Sequence, residues 1–273
     1  MDPVASTAHW VAAARAHESD RADALFHDPF ASALAGEEGE RWMTADDQVD
    51  FVSTYVALRT RFFDDELIRA AHEGGVRQIV LLAAGLDARA FRIDWPVGTR
   101  LFELDRPEVL EHKERILAAA RATPRGVRRT LGVDLTLPWA NELRGAGFSA
   151  AERSAWLVEG LLPYLREPDV RRLFTELSSL AAPGSTIALD CAGTDLFSAP
   201  AFAAQAAKMR ARGIEMHYAC DDPVRLLDGF GWTARSAGIA ELAARAGRAL
   251  PWRDAEGGDP LRSRLVAGTR RAA

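Results

Sequence analysis

Apolar positions along the chain follow two periods. Short unbroken runs, as in strands covered on both faces of a parallel sheet, occupy residues 79–84, 100–105, 155–158 and 185–189, with a further short strand at 128–133. Between them the spacing turns helical. Behind Pro107, the positions Val109, Leu110, Ile116 and Leu117 make one apolar face, and behind Pro168 so do Val170, Leu173, Phe174, Leu177 and Leu180, up to Pro183-Gly184. Ahead of the first strand, residues 6–21 predict a helix with Ala8, Val11 and Ala12 inward. Asp28-Pro29 marks a turn, and a further helix covers roughly residues 51–73 before Gly74-Gly75 stops it. Beyond Asp190 the pattern loosens into a loop with an amphipathic segment at 202–212. A short helix from Asp222, a glycine break, a strand from near Trp232, a helix at 239–249 and a strand at 263–267 follow.

Alternating strands and helices predict an α/β fold with a mostly parallel sheet. Each early strand ends in a glycine or an acid: Gly85, Asp105, Asp134, Glu159 and Asp190. In a parallel sheet these ends share one rim, the rim at which such folds bind ligands. The chain of 273 residues is read most economically as one domain. Residues 1–75 form a helical cap, 76–190 the core, 191–230 a lid over the rim, and 231–273 the remainder of the sheet.

Charge narrows the partners. With 27% charged residues and a net charge of −5, no basic field for nucleic acid is evident. No apolar run is long enough to span a membrane and no basic-then-apolar leader opens the chain, so a soluble cytoplasmic protein is expected. Cys191 and Cys220 form no C-x-x-C and the six histidines are scattered, which speaks against a metal or a disulfide framework.

The stretch 78–92 carries the first chemistry. Gly85 offers a turn without a Cβ where a ligand can approach the main chain, and Asp105, about twenty residues on, stands where ribose hydroxyls bind in doubly wound folds. As a glycine motif it is incomplete, because Ala83 occupies the place of the first glycine.

Taken together, residues 80–92, 102–107, 132–135 and 156–165 resemble successive motifs of the leucine carboxyl methyltransferase-like family of S-adenosylmethionine-dependent O-methyltransferases. Residues 7–18 and 25–31 resemble its actinobacterial branch. The resemblance implies a class I methyltransferase fold, Rossmann-like, with a seven-stranded sheet that has one antiparallel strand. It implies S-adenosyl-L-methionine as cofactor, its carboxylate held by Arg59, with Arg61 as fallback and Arg15 assisting. Ala83 and Gly85 would lie against its amino-acid part, Asp105 would take both ribose hydroxyls, Asp134 and Leu135 the adenine, and Glu159 the ammonium. The family carries glycine where this chain has Ala83.

The resemblance further implies a carboxylate acceptor on a small molecule, such as a secondary metabolite, or on a peptide, with Arg166, Arg210 or Arg212 to pair with it. A hydroxyl acceptor would require a base, and Tyr164, His217 and Tyr218 are the candidates. Two other readings stay open: a decayed member serving as a binding module, and a nicotinamide-dependent oxidoreductase.

Overall fold

The computed structural model describes residues 3–44, 49–198, 200–250 and 262–272. Seven strands build one sheet in the order β3-β2-β1-β4-β5-β7-β6. They are β1 (Gln78–Leu82), β2 (Arg100–Asp105), β3 (Val127–Gly132), β4 (Ser154–Val158), β5 (Thr186–Cys191), β6 (Trp232–Gly238) and β7 (Arg264–Arg270). The first five pair in parallel, and β7 alone runs against both its neighbours. This is the expected mostly parallel sheet with one reversed strand. The chain runs outward from β1 to β3 and then returns to lay β4 on the other side of β1. Such a reversal opens a crevice at the carboxyl ends of β1 and β4.

Strand periodicity sends alternate side chains into two separate cores. Ile79, Leu81, Leu101, Ala155, Leu157, Ala188, Leu265 and Ala267 pack on one face, with α3 (Val49–His72) and α10 (Ile239–Arg245). Val80, Leu82, Phe102, Leu104, Trp156, Val158, Ile187 and Leu189 pack on the other, with α6 (Ala140–Gly145), α7 (Glu167–Leu180) and α9 (Pro223–Asp228). Both faces are therefore apolar, which is why β1 and β4 read as unbroken hydrophobic runs.

Among the described residues three helices precede the sheet: α1 (Pro3–Ser19), α2 (Ala31–Thr44) and α3. No apolar period announced α2, which is kinked at Gly36 (φ 55°). Nor did one announce α4 (Arg89–Arg92) or α6, since four and six residues are too few for a helical repeat to show. Pro107 opens α5 (Pro107–Ala119) as expected. The segment after β5 forms α8 (Pro200–Ala211), and just beyond it the Arg212 guanidinium lies 3.5 Å from the ring centre of Trp42 on α2. Among the described residues no helix is long and apolar enough to cross a membrane, and no group of three metal-ligating side chains occurs.

Candidate functional site

The crevice at the switch point is a cleft of about 240 Å³, lined by the carboxyl ends of β1, β2 and β4 and by α1 and α3. Its floor is the turn after β1. Ala83 (φ 54°) and Gly85 (φ 46°) both take left-handed backbone, which turns the chain sharply at the end of β1. Glycine adopts that conformation freely, whereas an L side chain pays about 1–2 kcal/mol. The alanine at 83 is thus strained by its own backbone. Ala83→Gly is expected to raise stability by up to about 1 kcal/mol, read as the shift in urea midpoint; a loss of stability would show the methyl packs usefully.

Asp105 ties this turn to β2. Its Oδ2 accepts the Gly85 N–H at 2.6 Å and its Oδ1 accepts the Arg106 N–H at 2.7 Å. Burial pushes its pKa above the usual carboxylate value, and those two N–H groups work against the rise. At the end of β3, Asp134 Oδ1 accepts both the main-chain N–H (2.8 Å) and the hydroxyl (2.7 Å) of Thr136, which lowers its pKa. Asp134 is exposed and Leu135 buried, and both line the cleft.

The opposite end of the cleft is a buried ionic lattice. Arg59, on the inward face of α3, donates Nη1 to Asp190 Oδ2 at 3.0 Å and places Nε 3.0 Å from Glu159 Oε1. Burial opposes its charge, and the two carboxylates more than offset that. Asp190 also accepts the Gly160 N–H at 2.6 Å and the Tyr55 hydroxyl at 3.1 Å. Glu159 is shared: its Oε2 receives Arg89 Nη1 at 2.7 Å. Arg89, only 2% exposed, reaches Asp64 through Nε at 2.7 Å and also contacts Asp87. Burial alone would raise the Asp87 pKa, yet Arg89, Lys113, Arg92 and Arg15 bring it down to about 2. Arg15 enters from α1, donating Nε to Asp28 (2.9 Å) and Nη2 to the Leu86 carbonyl (2.7 Å).

The structure therefore brings Arg15, Arg59, Ala83, Gly85, Asp105, Asp134, Leu135, Glu159 and Tyr164 around one cleft. Arg61 lies elsewhere, exposed and bound to Asp65 and the Leu25 carbonyl. His217 and Tyr218 stand outside the lining, as do Arg166, Arg210 and Arg212. Sequence reasoning gave no role to Asp64, Asp87, Arg89 and Asp190. Asp190 was visible as a strand end, and Asp64 shares the helical spacing of the buried Thr60, Phe63, Leu67 and Ala71.

Known proteins resemble the chain at both levels. A provisionally named S-adenosyl-L-methionine-dependent methyltransferase of Parafrankia sp. is 48% identical over 195 residues, covering 68% of this chain and 63% of that protein. One of Mycobacterium tuberculosis, named in the same way, is 38% identical and covers 98% of this chain and 95% of that protein. In fold, the crystal structure of a duf574 family protein from Streptomyces avermitilis superposes with a TM-score of 0.58 at 16% identity, covering 95% of this chain and 96% of that one. The profile of the leucine carboxyl methyltransferase family matches residues 8–178, the cap and the strands that form the cleft, and the chain belongs to that family.

Proposed function

We propose that the protein methylates a carboxylate of a small-molecule or peptide acceptor, using S-adenosyl-L-methionine held in the cleft. What supports the carboxylate is that the described residues lining the cleft include no histidine and that its acids are engaged, Asp105 by two main-chain N–H groups, Asp134 by Thr136, and Asp87 and Glu159 by arginines. The one phenol there, Tyr164, has its pKa pushed up by burial, against a hydrogen bond with Thr7. Tyr218, outside the lining, is likewise pushed up by burial and by its cysteine neighbours. An acceptor that arrives already ionised needs no base.

The residues present fit the cofactor. Asp105 offers a carboxylate with two oxygens to the ribose, while Asp134 and Leu135 flank the place for adenine. Arg59 and Arg15, besides their bonds to Asp190, Glu159, Asp28 and the Leu86 carbonyl, would turn further donors to the carboxylate, and Glu159, shared by Arg59 and Arg89, would face the ammonium. When bound, the cofactor supplies an electrophilic methyl on a sulfonium. The protein's part is to align the acceptor oxygen and exclude water, which is catalysis by positioning. Around the cleft Glu159, Asp87, Asp190 and Asp105 gather near Arg15, Arg59 and Arg89. The alanine at 83, where a dinucleotide turn carries its first glycine, argues against a nicotinamide cofactor.

Segment 191–230 is read as the cover of the acceptor side, within a single domain working in the cytoplasm. Supporting this, the His217 N–H donates to the Pro163 carbonyl at 2.7 Å, next to Tyr164 on the cleft wall. Calorimetric titration is expected to show binding of S-adenosyl-L-methionine and S-adenosylhomocysteine but not NAD. Labelled methyl transferred to a panel of acids should be released by mild base as volatile methanol; base-stable label would point to an ether and a hydroxyl acceptor. Tyr164→Phe should retain kcat within about threefold, whereas loss of a genuine base costs about 10²–10⁴.

A further inference from the structure

Segment 192–219 leaves the sheet at the end of β5 and returns beside its own starting point. At this neck the Cys220 N–H donates to the Ala192 carbonyl at 2.9 Å, and Asp221 accepts the N–H (2.9 Å) and hydroxyl (2.8 Å) of Thr194. The two cysteines of the chain meet there. Cys191 is 2% exposed at the end of β5, with its Sγ 3.6 Å from the Cys220 carbonyl oxygen. Cys220 is half-buried and lines a second cavity of about 400 Å³, together with Arg171, Asp222, Arg225 and Phe230. That cavity lies apart from the cofactor cleft and shares no lining residue with it.

We infer that Cys191 and Cys220 form a peroxide-sensitive dithiol, Cys220 being the attacking thiolate exposed to the cavity and Cys191 the buried resolving thiol. The chemistry of the pair suits the roles. The neighbouring Cys191 side chain holds the Cys220 pKa below the ordinary thiol value, against burial, while Cys220 and burial push Cys191 up. The Cys220 thiolate attacks one oxygen of a peroxide. The S–O bond forms as the O–O bond breaks, and the second oxygen leaves as hydroxide to become water. The Cys191 sulfur then attacks the Cys220 sulfur, giving up its proton; the S–S bond forms and the sulfenic oxygen leaves as water. Two thiols lose two electrons and two protons, and the peroxide becomes two waters. The new bond would clamp the neck one residue from Asp190, which holds Arg59 and Gly160.

Reduced full-length protein treated with stoichiometric hydrogen peroxide tests this, independently of the cofactor assignment. Both titratable thiols should disappear, a peptide linked through Cys191 and Cys220 should appear, and dithiothreitol should reverse it. The rate of Cys220 alkylation by iodoacetamide should rise with pH about a midpoint below the ordinary thiol value of about 8.5. Cys191→Ser should leave Cys220 as a sulfenic acid that a cyclic 1,3-diketone traps, and Cys220→Ser should leave Cys191 unreactive. Persistence of both thiols in the wild-type chain, bonds between chains rather than within one, or equal reactivity of Cys191 in Cys220→Ser would each overturn the inference.

Discussion

Replacing Asp105 with alanine is expected to weaken S-adenosyl-L-methionine binding by about 10²–10⁴-fold. Hydrogen bonds to a charged group contribute about 1.5–3 kcal/mol each, and two ribose hydroxyls on one carboxylate make about 3–6 kcal/mol. The same carboxylate also holds the Gly85 and Arg106 N–H groups, so alanine loosens the turn as well. Asp105→Asn separates the two effects. It keeps an acceptor for Gly85 but loses the second oxygen, and should show an intermediate loss with little change in melting temperature. Calorimetric titration reads the affinity; unchanged binding in Asp105→Ala would remove the ribose assignment.

Arg59→Leu should be strongly destabilising. It leaves Asp190 and Glu159, with side chains only 7% and 16% exposed, facing one another without their shared guanidinium. Breaking a buried ion pair from one side costs about 3–5 kcal/mol, which in a chain of this size lowers Tm by about 10 °C. Arg59→Lys keeps the charge but not the planar fork. It should recover much of the stability while leaving cofactor affinity low, because an ammonium cannot make the paired bonds of a guanidinium to a carboxylate. Arg61→Ala is the control. Its side chain is half exposed on the outer face of α3, and a change beyond about 0.5 kcal/mol or any loss of binding would transfer the role to Arg61.

What the sequence made legible follows from how each feature is encoded. Strand ends could be read because an apolar run stops abruptly at Gly85, Asp105 or Glu159, and a parallel sheet puts all such stops on one rim. The ionic lattice could not be read. Arg59 meets Asp190 across 131 positions and Arg89 meets Glu159 across 70, and no local pattern records a partner that distant. Asp64 is intermediate. Its place on the buried stripe of α3 was visible, but a lone acid on an apolar stripe announces a cation somewhere without saying which. The strain at Ala83 is a matter of φ, and only the departure from the family's glycine hinted at it.

β7 comes last in chain order among the described strands yet lies between β5 and β6. During synthesis, therefore, the five parallel strands and their cleft can assemble while β5 still presents an open row of backbone donors and acceptors, and β6 has nothing to pair with. Residues 264–270 close that gap when they emerge from the ribosome. Until then the nascent chain has a sticky margin that invites wrong pairings, and a stop codon just before that strand would leave the margin permanently exposed.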